Sequence, residues 1–174
     1  MVFIAGQKKR DILIRINHVP YQEDLDARRN ARFDDTCLWS LAHPLIAAWL
    51  NGPTDNLWIH GGPGTGKSVL AAYLIDFVQE RIAKSEKNTK TQSSSSEVLL
   101  YFFCDGRSAA SLKASSNSIA LTLLTQLVNN SHFQLENFSA FADYITSAST
   151  RFTFPIGKLV EHLIVILRTF SKAW

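Results

Sequence analysis

Eight consecutive residues, Gly61-Gly62-Pro63-Gly64-Thr65-Gly66-Lys67-Ser68, bring together what binding a polyphosphate requires. Such an anion needs several donors converging on a small volume. Gly64 and Gly66 let the backbone enter conformations closed to other residues, so amide N–H groups can face inward as a nest. A helix starting near Gly66 would aim its positive end, roughly +0.5 charge, at the same point. Lys67 is placed to reach β- and γ-phosphates as a point charge. The Ser68 hydroxyl is the expected protein ligand for Mg²⁺. Pro63 stiffens the loop and carries no N–H to misdirect. The octet fits G-x-x-x-x-G-K-[ST] at every fixed position. A random chain of this length would do so on the order of 1% of the time, given Gly near ~7% of residues. A Gly/Pro-rich turn that binds nothing would explain the glycines, but not Lys and Ser at a helix start.

Such a loop works only between a strand and a helix. Before it, Asn56-Leu57-Trp58-Ile59-His60 reads as a short buried strand. After it, Leu70, Tyr73, Leu74, Phe77 and Val78 recur at helical spacing, predicting a helix to about Ile82. Upstream, Thr36 can cap a helix carrying Leu38, Trp39 and Leu41. Pro44 starts another with Leu45, Ile46, Trp49 and Leu50, and Asn51-Gly52-Pro53 stops it. Trp39 and Trp49 read as core residues, with contact to a nucleotide base as the alternative. Residues 1–34 read as a polar N-terminal segment. In it Ile12, Ile14 and Ile16 alternate as in a strand, Pro20 breaks the pattern, and Asp24 to Arg32 forms a solvated helix face or loop.

Downstream, residues 84–97 are polar and Ser-rich with no hydrophobic face, the pattern of a mobile surface loop. Val98-Leu99-Leu100-Tyr101-Phe102-Phe103-Cys104 reads as a strand buried on both faces. Ile119, Leu123, Leu124, Leu127 and Val128 give a helix, and residues 133–148 a second around Phe138, Phe141 and Tyr144. After Pro155 a third carries Leu159, Val160, Leu163, Ile166, Leu167 and Phe170, with a strand over 163–167 as the alternative.

Hydrolysis would need an acid at the end of another strand. Asp105 is the one carboxylate that follows a strong apolar strand, and it competes with a plain Asp-Gly turn. No Glu adjoins it. His43 and His60 read as boundary residues, and no Ser/His/Asp or Cys/His set can be assembled. Hydrolysis by this chain is therefore expected to be slow or absent.

The bulk properties narrow the partners. The 174 residues suffice for one domain, and the formal charge of +3 is scattered rather than gathered in a basic stripe, which argues against nucleic acid. Cys37 and Cys104 lack metal spacing and read as two reduced thiols. No run approaches the ~20 apolar residues that cross a bilayer. Met1 to Ala5 is too short for a signal core, so the expected location is cytoplasmic and no membrane partner is expected.

The lead-in joined to the loop is the most specific stretch. Thr36-Cys37-x-Trp39, His43-Pro44 with Trp49-Leu50, then Leu57-Trp58-Ile59-His60-Gly61-x-Pro63-Gly64-x-Gly66-Lys67-Ser68 resembles the nephrocystin-3-like N-terminal domain. That domain is the NACHT-type P-loop module common in fungal NOD-like and ankyrin-repeat proteins. Tyr101-Phe102-Phe103 and Leu123-Leu124-x-Gln126-Leu127 look like its next strand and helix. Asp35 departs from the family, which usually has Gly there. The resemblance implies an α/β P-loop NTPase fold, a parallel sheet flanked by helices, with a helical lead-in over an N-terminal part spanning 35–174. It also implies that the acidic Walker B strand would fall beyond Trp174, so that the chain looks like the front half of an NTPase switch or a truncated product. The strands at 56–60 and 98–104 would then not be neighbours. They would pair abnormally or leave open edges that invite self-association.

The expected function is binding of Mg²⁺ with ATP, or GTP, through Gly61 to Ser68, as part of a signalling switch with protein partners. No guanine-specifying Asn-Lys-x-Asp pattern occurs, which favours ATP. The alternatives are a non-enzymatic interaction module with weak nucleotide binding and, third, a small P-loop kinase. A kinase would need a lid with arginines, and Arg107, Arg151 and Arg168 form no such cluster in the sequence.

Overall fold

The computed structural model describes residues 2–16, 20–52, 56–88, 96–104, 115–147 and 154–174. Among them are eight α-helices and one two-stranded parallel sheet. The helices are α1 (Val2–Ile16), α2 (Tyr21–Asn30), α3 (Trp39–Ala42), α4 (Pro44–Asn51), α5 (Lys67–Asn88), α6 (Ser116–Asn129), α7 (Ser139–Ser147) and α8 (Ile156–Leu167). A 3₁₀ turn, Leu135–Phe138, leads into α7. The strands are β1 (Glu97–Val98) and β2 (Lys172–Ala173).

The sheet parts two cores. Val98 and Leu100 point to one side and Leu99 to the other, the period-two alternation of a strand. On the first side α6 is the hub: Leu124, Leu127 and Val128 meet Ile12 and Ile16 of α1, Phe141 and Ile145 of α7, and Leu159 and Ile166 of α8. On the second, Leu70, Leu74 and Val78 of α5 meet Ile46 and Leu50 of α4, with Leu99 and Trp174 at the sheet. The ladder extends past the strands proper: Ser171 N donates to Ser96 O (2.9 Å), Trp174 N to Val98 O (2.8 Å) and Leu100 N to Trp174 O (3.1 Å). Beyond it the buried Gln126 of α6 takes over. Its Nε2 donates to Tyr101 O (2.8 Å) and its Oε1 accepts from Tyr101 N (3.1 Å), so one side-chain amide satisfies a backbone that has run out of strand partner.

Several expectations change. The alternating isoleucines are helical, not a strand: Ile12 and Ile16, four apart, are buried, whereas Ile14 is 80% exposed. A strand would have put all three on one face. The first 34 residues are accordingly no separate polar segment, because α1 supplies part of the main core. Asp24 to Arg32 is helical for most of its length, and Leu25 is its buried contact. There Arg29 pairs with Asp76 of α5 (2.6 Å) and with Asp26 (2.9 Å), interactions that hold its guanidinium charged. Helix α5 runs six residues beyond Ile82, so residues 84–88 of the Ser-rich stretch are helical, with Lys84 paired to Glu80 at 3.3 Å. Residues 89–95 lie outside the described residues. Thr36 caps no helix; its hydroxyl donates to Phe33 O (2.6 Å) inside a turn. The segment after Pro155 is helical through Leu167, and the strand comes later, at Lys172. Pro44 and Gly52 act as the sequence suggests: Pro44 is the first residue of α4, and Gly52 ends it at φ 96°, its N–H bonded to Ala48 O at 3.1 Å.

The largest change is at residues 56–60. They form no regular element and join no ladder among the described residues, and Trp58 is 85% exposed. The reason is geometric. Helices α4 and α5 cover one side, where Leu57 is half-buried, but the ladder that stops at β2 leaves a gap beside this segment. A cavity of about 360 Å³ fills the gap, walled by Leu57 and Ile59 on one side, Leu99, Leu100 and Trp174 on the other, and Leu74 beneath. The two apolar segments thus neither pair with each other nor both stay open, since 98–100 gains the chain's last residues as partner.

Candidate functional site

The octet folds into a turn that ends as α5 begins. Gly64 (φ 76°) and Gly66 (φ 79°) both occupy the left-handed region, the conformation for which the sequence reading needed glycine. Gly61 avoids a close contact instead, one that the Thr65 side chain would have to relieve by shifting a few tenths of an ångström. A Cβ there would stand 3.1 Å from Thr65 Oγ1. That hydroxyl donates to Gly62 O (2.9 Å) and ties the loop across its base. Thr65 sits at a position where the motif accepts any residue; the sequence places it in the loop, and the structure adds what its hydroxyl does there.

The first helical bond of α5 runs from Leu70 N to Gly66 O (2.9 Å). The amides of Lys67, Ser68 and Val69 therefore have no acceptor inside the helix. They converge with the helix dipole at the mouth of the loop. Lys67 Nζ curls over the same place, donating to Gly61 O (2.8 Å), Gly62 O (2.7 Å) and, more weakly, Thr65 Oγ1 (3.3 Å). One ammonium, the first-turn amides of α5 and the Ser68 hydroxyl thus lie within one solvent-exposed loop. The chemistry of that donor set is anion binding. For a divalent cation it offers one hydroxyl, and no cluster of three or more His, Cys, Asp or Glu exists among the described residues. A magnesium ion carried by phosphates fits a single hydroxyl, because this ion keeps much of its water and takes few protein ligands.

The remaining candidates are not gathered here. Asp105, Arg107 and Arg151 lie outside the described residues. Arg168 caps α8. Trp49 is in the core as expected, edge-on to Trp174 at 5.4 Å. Trp39 is not; it stands 62% exposed beside the loop, edge-on to His43 at 6.2 Å. Its approach is a strained turn, with Asp35 at φ 63° and Cys37 at φ 70°. Left-handed backbone explains why the related domain is expected to carry Gly at position 35, and Asp is one of the few other residues that tolerates it. Cys37 and Cys104 are free thiols.

A family model described as Nephrocystin 3, N-terminal matches residues 35–174. No curated protein and no solved structure matches the chain.

Proposed function

We propose that this chain, which belongs to the nephrocystin 3 N-terminal family, binds a nucleoside triphosphate with Mg²⁺ at residues 61–68, ATP in preference to GTP. The observation that carries the reading is the gathering of Lys67 Nζ, the free amides of the first turn of α5 and two left-handed glycines in one exposed loop. The division of labour follows from the donors. Backbone amides seat the β-phosphate. The Lys67 ammonium exchanges two neutral carbonyls for anionic oxygens, trading ordinary hydrogen bonds for charge-assisted ones. Ser68 would hold the magnesium ion, which offsets phosphate charge when bound. In a NACHT-type P-loop module, occupancy of the loop biases a switch. The parallel pairing of β1 and β2 between α5 and α6 is the one feature of such a sheet among the described residues, and residues 56–60 would be the strand that joins it.

A calorimetric titration with Mg·ATP tests the reading. A charge-assisted contact is worth ~1.5–3 kcal/mol, so Lys67→Ala should weaken binding about tenfold or more. Unchanged affinity would remove the assignment.

A second reading, an interaction module that binds a protein or its own copy, is favoured by α8. Ile156, Val160 and Ile164 recur at intervals of four along it and are all exposed. Sedimentation should then show concentration-dependent association that Ile164→Glu abolishes; a monomer at all concentrations excludes self-association.

A further inference from the structure

We infer that the cavity between α3–α4 and residues 57–60 is the seat of the nucleotide's base, held by stacking on Trp58 and Trp39. The inference rests on the phosphate-binding reading of residues 61–68 and adds the part of the ligand that reading leaves unplaced. The cavity measures about 220 Å³ and is open to solvent at one side, with Trp39, His43, Trp58 and His60 on its walls and Ile46 and Leu70 deeper in. Its position ties it to the phosphates. His60 immediately precedes Gly61, and Leu70 lies in the first turn of α5, three residues after Lys67. A triphosphate anchored on Lys67 therefore has its far end within reach of these walls from either flank of the loop.

The residue types suit a base and little else about the fold. Two tryptophans beside one phosphate loop are mostly in solvent, 62% for Trp39 and 85% for Trp58. Tryptophans are enriched where a surface binds, because one end of the ring is apolar and the other can meet water. Among the described residues the ring contact of Trp39 is edge-on to His43 at 6.2 Å, and the turn before it holds two non-glycine residues at positive φ. Such strain is maintained where a side chain must be aimed. Aromatic faces bind bases by stacking, and every base offers a π-face.

The polar edges decide selectivity. His43 and His60 are the titratable groups on the walls, and no Asp or Glu lines the cavity. Guanine presents adjacent N1–H and N2–H donors that a carboxylate would read, and here they meet none. The site is accordingly a purine site of low discrimination. ATP should bind somewhat better than GTP, within about tenfold, and CTP more weakly than either because its stacking face is smaller.

The test compares Mg·ATP with magnesium tripolyphosphate, which keeps the phosphates and lacks the base, on the full chain. Trp58→Ala and Trp39→Ala should each weaken ATP about tenfold and leave tripolyphosphate unchanged. Trp58→Phe should keep most of the affinity, since it keeps a ring, and it also controls for folding. ATP should quench tryptophan fluorescence where tripolyphosphate does not. Unchanged ATP affinity in both alanine variants overturns the inference while the phosphate site stands. Equal losses for ATP and tripolyphosphate also overturn it, because the tryptophans would then act on the loop. A preference for GTP of a hundredfold or more does the same. Wild-type protein that binds neither ligand overturns the phosphate-site reading and this one with it.

Discussion

The two sides of the sheet are built to different standards. Around α6, residues from four helices and a strand are sealed from water, and Leu124, Leu127, Ile145, Leu159 and Ile166 have no exposed surface at all. Around α5 the buried set is Ile46, Leu50, Leu70, Leu74 and Val78, and its rim leaves Trp39, Leu45, Trp58 and Ile59 in solvent. Residues 61–68, the proposed phosphate loop, belong to the second side. The difference shows how the molecule divides its work. A closely packed helical half holds the sheet, and through the sheet it holds one wall of a looser half whose backbone donors and aromatic faces remain free to meet a ligand. Regions that bind come from the less stable end of a structure, because groups already satisfied have nothing to offer.

Amide hydrogen exchange should separate the two sides most widely. Trp58, Ile59 and His60 have no backbone partner among the described residues and should exchange at nearly unprotected rates. Leu124 and Leu127 in α6 should exchange only through global opening, ~5 kcal/mol or more, which is slower by at least about 10³. Strong protection at 58–60 would break the comparison and mean that this segment finds a strand partner in solution.

Side-chain truncation should repeat the contrast on a smaller scale. Leu124→Ala empties a fully enclosed site and should cost about 2–5 kcal/mol in urea unfolding. Trp58→Ala removes a ring that is mostly in water and should stay within about 0.5 kcal/mol. Similar costs for both would show that the two halves are equally well packed.

The smallest effect is a pH dependence confined to the helical half. His162 of α8 lies against the rings of Phe141 (5.5 Å) and Tyr144 (5.0 Å). Burial there lowers its pKa below the usual 6.5; Glu161 opposes the shift and Lys158 adds to it. The unfolded chain thus takes up the proton at higher pH than the folded one. Its contribution is full above about pH 6.5 and declines as pH falls from there through the folded-state value. His162→Gln should flatten the slope of unfolding midpoint against pH in that window. An unchanged slope would place the titration elsewhere.

Much of this was legible in the chain because it is local. The glycine conformations at 64 and 66, the start of α4 at Pro44 and its end at Gly52 depend on residues within a turn of one another. The helices around Leu124, Phe141 and Leu159 announced themselves by apolar spacing, a property of neighbours. The isoleucines at 12, 14 and 16 show the limit: their alternation suggested a strand with all three on one face, whereas the helix buries Ile12 and Ile16 and exposes Ile14. Nothing in Gln126 itself says that its amide will stand in for a strand, since the backbone it satisfies is 25 residues away.

By itself, the sequence determined the chemistry that the chain carries. An ammonium, a hydroxyl and glycine-freed amides at that spacing are the donor set on which the proposed anion site rests. Only the tertiary structure decided what surrounds that chemistry. It paired 96–100 with 171–174, left 57–60 without a ladder, and set Trp39 beside Trp58 at the edge of one cavity. The physical reason is range. Backbone conformation and helical periodicity are settled within a few residues, whereas strand pairing and the exposure of a ring depend on which distant segment arrives to cover them.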